Sequence, residues 1–149
     1  MSLLSPADQQ ALREVFQQLS RRVRLLFFTQ TIGCETCVQA REILDELPPL
    51  SDQIVVEEVN LVLEKEKAAR FGIDRAPAIV LAYDDPDSVD AIKDSRIRFL
   101  GAPAGYEFGS LVHAVLLVGG RASALGAKSL ERLAALDKPL AMQVFTTPT

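Results

Sequence analysis

The amino-acid sequence predicts an α/β fold in which a four-stranded mixed sheet is flanked by helices. The first observation is that continuous apolar runs, typical of buried strands, alternate with segments whose apolar residues recur every three or four positions. The second is that the early crossover connections hold helices, which makes the first strands parallel, whereas the link over residues 84–94 is short enough for an antiparallel hairpin. This order of elements is typical of a sheet with helices on both faces.

An extra helix is predicted at the start of the chain, before the first strand. Ser5 can cap this helix, Pro6 suits its first position, and the apolar spacing continues to about residue 20. The strands are predicted at 23–29, 54–61, 77–83 and 95–100, and the later helices at 34–47, 64–70 and 106–118. We expect the second and third strands to be buried like the first, because their apolar residues are nearly continuous.

The chain is predicted to divide into a unit over residues 1–120 and an extension over residues 121–149. Two glycines close the last helix of the unit, and residues 128–136 then show helical spacing. Residues 140–146 have the pattern of a new strand, and its end resembles the end of the first strand. We therefore expect the extension to be a connector helix and the first strand of a second unit of the same fold, in a longer protein of which this chain is a fragment.

Composition and charge argue against two broad classes of function. The chain has 149 residues, of which 48% are hydrophobic and 24% charged, with a formal net charge of −4. No basic patch of the kind used to bind nucleic acid is visible. No apolar run is long enough to span a membrane, and the first residues lack the pattern of a signal peptide. We expect a cytoplasmic protein that binds neither nucleic acid nor membranes.

Both cysteines lie in the motif Cys34-Glu35-Thr36-Cys37, between a predicted strand and a predicted helix. The N–H groups and partial positive charge at the start of a helix favour a thiolate at Cys34 and lower its pKa. Cys37 comes one turn later on the buried face, where it can attack a mixed disulfide formed at Cys34. The motif therefore predicts a redox site in which Cys34 is the nucleophile and Cys37 is the resolving cysteine.

Two alternatives to a redox site are a zinc half-site and a pair of inert core cysteines. Structural zinc normally takes four ligands, but the sequence has no second CxxC and His113 is the only histidine. The position of the motif between a strand and a helix favours redox chemistry over both alternatives. We therefore predict neither a metal nor a cofactor.

Four segments of the chain, in order along the sequence, resemble the same family of proteins. They are IGCETC, FGIDRAPAIVL, IRFLGAPAGYEF and DKPLAMQVFTTPT. They resemble the thioredoxin superfamily and, within it, the glutaredoxin-like protein disulfide oxidoreductases, which carry two tandem thioredoxin-fold units. The resemblance covers nearly the whole chain beyond residue 20 and implies a thioredoxin fold, here with an extra N-terminal helix and a C-terminal helix-strand extension.

The resemblance also implies a substrate-binding role for Ala76 and Pro77. The matching proline is cis in the family and faces the CxxC, so that the backbone of Ala76 is offered to an extended substrate segment in the manner of strand addition. Thioredoxins also bury an acid on the first strand, which this chain lacks over residues 26–30. Glu58 is a candidate substitute proton acceptor, and the alternative is a partly solvated glutamate at a strand edge.

The predicted function is that of a protein dithiol–disulfide oxidoreductase, acting on the disulfides and dithiols of protein substrates. One alternative is an electron relay between a flavoprotein of the thioredoxin-reductase type and a peroxidase, because the amino-terminal part of some peroxiredoxin reductases has a similar paired design. The other alternative is a non-catalytic docking unit.

Overall fold

The computed structural model describes residues 2–147, which contain five α-helices and four β-strands. The helices are α1 (Pro6–Phe16), α2 (Cys37–Asp45), α3 (Lys65–Phe71), α4 (Tyr106–Val118) and α5 (Ala127–Ala134). The strands are β1 (Val23–Thr29), β2 (Ile54–Asn60), β3 (Ala78–Asp84) and β4 (Ile92–Leu100). Short 3₁₀ turns occur at Pro48–Leu50 and Val89–Ala91.

The four strands form one mixed sheet in the order β2-β1-β3-β4. β1 pairs with β2 in parallel and with β3 antiparallel, and β3 pairs antiparallel with β4. The predicted fold class is confirmed. The expectation that β2 is buried like β1 is wrong, because β2 is an edge strand in which only Ile54 and Val59 are buried. A run of apolar residues does not show how many neighbours a strand has.

The side chains of β1 point alternately into two apolar layers, which explains why its sequence is apolar throughout. Leu25 and Phe27 pack in one layer with residues of α1, α2 and α4. Leu26 and Phe28 pack in the other layer with residues of α3, including Phe71. The helices therefore cover both faces of the sheet, and the helix that follows the CxxC lies on the larger layer.

The ends of the helices follow the local signals in the sequence. α1 starts after Ser5, whose hydroxyl oxygen accepts a hydrogen bond from the N–H of Asp8 at 3.2 Å. α3 ends at Gly72, which has a left-handed φ of 67°. α2 begins at Cys37, three residues later than predicted, and the first of its bonds runs from the N–H of Ala40 to the oxygen of Thr36 at 2.9 Å.

The C-terminal extension forms the predicted helix but not the predicted strand. α5 corresponds to the helical spacing of residues 128–136, whereas residues 140–146 belong to no helix or strand. A strand is stable only when a neighbour satisfies its N–H and C=O groups, and no strand among residues 2–147 pairs with this segment. The division of the chain at residue 120 remains a prediction.

Candidate active site

The CxxC lies at one edge of the sheet, where three connecting loops meet. The parallel strands β1 and β2 end at this edge and the antiparallel strand β3 begins there, so that Phe28 has Val59 and Ala78 as neighbours in the ladder. The N–H of Leu61 donates to the oxygen of Thr29 at 2.8 Å and holds two of the loops together. This topology brings residues 30–36, 61–64 and 72–77 to the same end of the molecule.

Cys34 and Cys37 form a disulfide, with their Cα atoms 5.5 Å apart. Cys34 lies in the loop before α2 and is partly exposed, whereas Cys37 is the first residue of α2 and only 6% exposed. The predicted difference in exposure is confirmed. Cys37 packs in the apolar layer with Ala40 and Leu44, so an incoming group can approach Cys34 but not Cys37.

The first turn of α2 has no side-chain cap. Thr36 stands at the capping position, yet its hydroxyl accepts no hydrogen bond from the backbone of the turn. The N–H groups at the start of a helix lack partners within the helix and carry a partial positive charge. Without a capping side chain within the described part of the chain, these groups are free to stabilise a thiolate at the CxxC.

The bond between Ala76 and Pro77 is cis, as the family resemblance implied. Ala76 is partly buried and packs, like Cys34, against the apolar layer that contains Cys37. The oxygen of Pro77 accepts a hydrogen bond from the N–H of Gly101 at 2.9 Å, which connects this loop to the loop after β4. Within residues 2–147, Ala76 itself makes no backbone hydrogen bond, so its N–H and C=O are available to another chain.

Glu58 lies on the face of the sheet that α2 covers, opposite Phe27 in the ladder. Its side chain is 48% exposed and forms an ion pair with Arg41 of α2. This is the geometry of the solvated strand-edge glutamate that the sequence left as the alternative, and proton transfer by Glu58 remains a prediction. The part of the chain that the structure describes contains no buried charged or polar residue, in agreement with the lack of an acid on β1.

Sequence reasoning missed the exposed apolar side chains on the loops around the disulfide. Ile32 is 86% exposed and Leu63 80% exposed, and Val38 and Val62 are exposed as well. The loop that carries Val62 and Leu63 is held by Asn60, whose side-chain oxygen accepts hydrogen bonds from both N–H groups at 3.0 Å. The available signal was an asparagine placed directly after a strand and before two apolar residues.

Two structural findings concern metals and membranes. Among residues 2–147, no group of three or more His, Cys, Asp and Glu side chains is arranged to hold a metal ion, and His113 lies exposed on α4. In the same residues, every helix is too short or too polar to cross a bilayer.

The sequence matches no family model, but it is similar to known proteins. It is 31% identical over 75 residues to a protein of Methanothermobacter thermautotrophicus described as a probable thioredoxin, which covers 50% of this chain and 74% of that protein. It is 26% identical over 138 residues to the alkyl hydroperoxide reductase protein AhpF of Staphylococcus epidermidis. That match covers 89% of this chain but spans only 24% of the length of the Staphylococcus protein.

Similar structures extend over nearly the whole chain. The N-terminal domain of the alkyl hydroperoxide reductase AhpF from Enterococcus faecalis has a TM-score of 0.77 and 29% identity, over 91% of this chain and 62% of that one. A protein disulfide oxidoreductase from Aeropyrum pernix has a TM-score of 0.72 at 21% identity, over 89% of this chain and 55% of that one, which shows the shared fold. With its CxxC, its cis-proline and its similarity to most of an archaeal probable thioredoxin, this chain belongs to the thioredoxin family.

Proposed function

We propose that this chain is a protein dithiol–disulfide oxidoreductase that reacts at Cys34 and Cys37. The observation that carries the proposal is the disulfide between a partly exposed Cys34 and a buried Cys37 at the start of α2. A pair with one accessible and one covered sulfur suits a reaction in two steps, one between molecules and one within the protein. In this proposal Cys34 is the nucleophile and Cys37 the resolving cysteine.

The reaction starts from the dithiol form of the protein. The Cys34 thiolate attacks one sulfur of a substrate disulfide, forms a mixed disulfide with it and releases the other substrate sulfur as a thiolate, which takes a proton. Cys37 then loses its proton and attacks the sulfur of Cys34, and the second substrate thiolate leaves. Two electrons pass from the protein to the substrate, and the Cys34–Cys37 disulfide is formed. Glu58 is the proposed acceptor of the Cys37 proton.

Ala76 and Pro77 are the proposed binding residues for the substrate. An extended segment can add to the unpaired N–H and C=O of Ala76 as a further strand. The exposed apolar side chains of Ile32, Val38 and Leu63 offer surface for the neighbouring residues of that segment. Both features favour a polypeptide substrate over a small disulfide.

A second candidate function is an electron relay, which the similarity to AhpF favours. In that function the disulfide receives two electrons from a flavoprotein of the thioredoxin-reductase type, and the dithiol passes them to a peroxidase. The chemistry at Cys34 and Cys37 is the same, and only the partners differ. We place either reaction in the cytoplasm, where reducing conditions keep such pairs in the dithiol form.

The reduction of insulin by dithiothreitol, followed by turbidity, tests the proposed function. We expect catalysis by the wild-type chain, loss of catalysis with Cys34→Ser, and trapped mixed disulfides, detectable by mass spectrometry, with Cys37→Ser. Catalysis by Cys34→Ser at the wild-type rate would refute the assignment, and so would a wild-type chain that accelerates nothing. Reduction of the wild-type disulfide by NADPH and a thioredoxin-reductase-type flavoprotein supports the relay, and its absence argues against it.

A further inference from the structure

A groove lies on the α2 side of the molecule, between α2, the start of α4 and the residues that precede α1. Its volume is about 340 Å³. Its walls are mainly apolar, with Leu4, Ile43 and Phe108 on three different elements, and the loop residues Pro103 and Ala104 complete it. The volume suits the side chains of a short peptide segment rather than a large ligand.

The groove is connected to the candidate active site by the backbone. The loop that starts at Gly101, where the N–H bonds the oxygen of Pro77 at 2.9 Å, continues to Ala104 in the wall of the groove. On the other side, Ile43 follows Cys37 by six residues of helix, which is about 9 Å along the axis. An extended chain covers that distance with about three residues, so one substrate segment can reach both places.

The charged groups that line the groove are both acidic. Glu42 is exposed and makes no hydrogen bond or ion pair within residues 2–147. Glu46 accepts hydrogen bonds from the hydroxyl of Ser2 and, at 2.8 Å, from the N–H of Leu3. The bond from Ser2 is the main cause that lowers the pKa of Glu46, so this carboxylate is ionised at neutral pH. No lysine, arginine or histidine lines the groove to balance these charges.

We propose that the groove binds a segment of the protein substrate in which an apolar side chain stands next to a lysine or arginine. The apolar side chain packs between Ile43 and Phe108, and the cation pairs with Glu42. The segment lies about three residues from the substrate cysteine. This inference rests on the proposed function and adds a preference among its substrates.

The test uses peptides with one cysteine that carries 2-nitro-5-thiobenzoate as a mixed disulfide. The Cys34 thiolate of the reduced protein attacks the peptide sulfur and expels the coloured thiolate, and Cys37 then releases the peptide thiol. Three residues before or after the cysteine, the peptides carry Leu-Lys, Leu-Glu, Gly-Lys or Gly-Glu. We expect the Leu-Lys peptide to react about fivefold faster than the Gly-Glu peptide on one of the two sides.

Two variants separate the contributions of charge and shape. Glu42→Gln should remove the preference for lysine over glutamate, whereas Glu66→Gln on α3, at the opposite face of the sheet, should retain it. Ala104→Trp should fill the groove and remove the preference for leucine over glycine, whereas Ala122→Trp beyond α4 should retain it. Salt should weaken only the preference for lysine.

The possible failures have different meanings. A protein that expels no thiolate from any peptide or from 5,5′-dithiobis(2-nitrobenzoate) refutes the proposed function. Equal rates for all four peptides, or preferences that persist in both groove variants, refute the groove alone. A Leu-Lys peptide with serine in place of cysteine gives a readout that needs no exchange. It should shift the NMR amide signals of Gln39, Glu42 and Phe108, and the absence of shifts at millimolar peptide refutes the groove in every case.

Discussion

α2 and α5 are both short amphipathic helices, but only α2 buries its apolar face. On α2, Cys37, Ala40 and Leu44 pack against the sheet and are almost completely buried. On α5, Leu130 and Leu133 are three residues apart and remain 44% and 50% exposed. The difference arises because β1 and β3 offer α2 an apolar surface, while nothing in residues 2–147 covers α5. Helical spacing thus specifies a conformation, and burial requires a partner.

This contrast separates the chemistry from the extension. The proposed nucleophile precedes a helix that is held by the core, which keeps its position relative to Pro77 constant. A site of this kind needs groups placed to a fraction of an ångström, and packed elements provide that better than isolated ones. We therefore expect changes in the α2 region to affect both activity and stability, and changes in α5 to affect neither.

The largest expected effect is on activity. Cys34→Ser should reduce disulfide exchange by at least about a thousandfold, because the oxygen of serine is not a nucleophile towards disulfides under these conditions. Leu133→Ala on α5 should leave the exchange rate unchanged. Stopped-flow measurement of the reaction with a peptide disulfide compares the two variants. A marked loss of activity in Leu133→Ala would contradict the separation of the two regions.

The second effect is on stability. Leu44→Ala should lower the free energy of unfolding by about 2–5 kcal/mol, because it removes buried methyl groups and leaves a cavity. Leu133→Ala should change it by less than about 0.5 kcal/mol, because the side chain is half exposed. Urea denaturation followed by circular dichroism gives both values. Similar losses in the two variants would show that α5 is packed in solution.

The third prediction tests the extension as a whole. A chain that ends after Arg121 should retain the wild-type rate of disulfide exchange and differ by less than about 1 kcal/mol in its free energy of unfolding. Arg121 is kept because its N–H closes α4 through a bond to the oxygen of Leu116 at 3.0 Å. The measurements are the same as for the point variants. Failure of the shortened chain to fold would refute the predicted boundary near residue 120.

The smallest effect concerns the outer edge of the sheet, where Asp94 pairs with Arg98 at 2.6 Å. Burial raises the pKa of Asp94, but hydrogen bonds from Arg98 and from the N–H of Arg96 outweigh it and bring the pKa below the ordinary 3.8. A lowered carboxylate pKa contributes stability above the ordinary value, and that contribution is lost as the pH falls through the pKa of the folded protein.

We therefore expect Asp94→Asn to be slightly less stable than the wild type at pH 7 and to lose less stability on acidification below about pH 3.8. Urea denaturation at a series of pH values measures this dependence. Asp137→Asn, in the exposed segment after α5, is the control and should follow the wild-type curve. An Asp94→Asn curve parallel to that of the wild type would show that the pair with Arg98 contributes nothing.

The sequence by itself determined the features that depend on neighbouring residues along the chain. The cap at Ser5, the left-handed Gly72 and the apolar face of Cys37, Ala40 and Leu44 are local signals, and the structure confirms each of them. The CxxC was visible for the same reason, since its two sulfurs are only three residues apart. The cis bond at Pro77 came from the family resemblance, because local preference alone favours a trans bond.

Only the tertiary structure decided the features that depend on which surfaces meet. It placed β2 at the edge of the sheet, paired Glu58 with Arg41, and left Ile32 and Leu63 exposed beside the disulfide. It also left residues 140–146 without the strand that their apolar pattern predicts. The physical reason is that burial and strand pairing are relations between distant segments, and an apolar residue has the same identity whether or not another segment covers it.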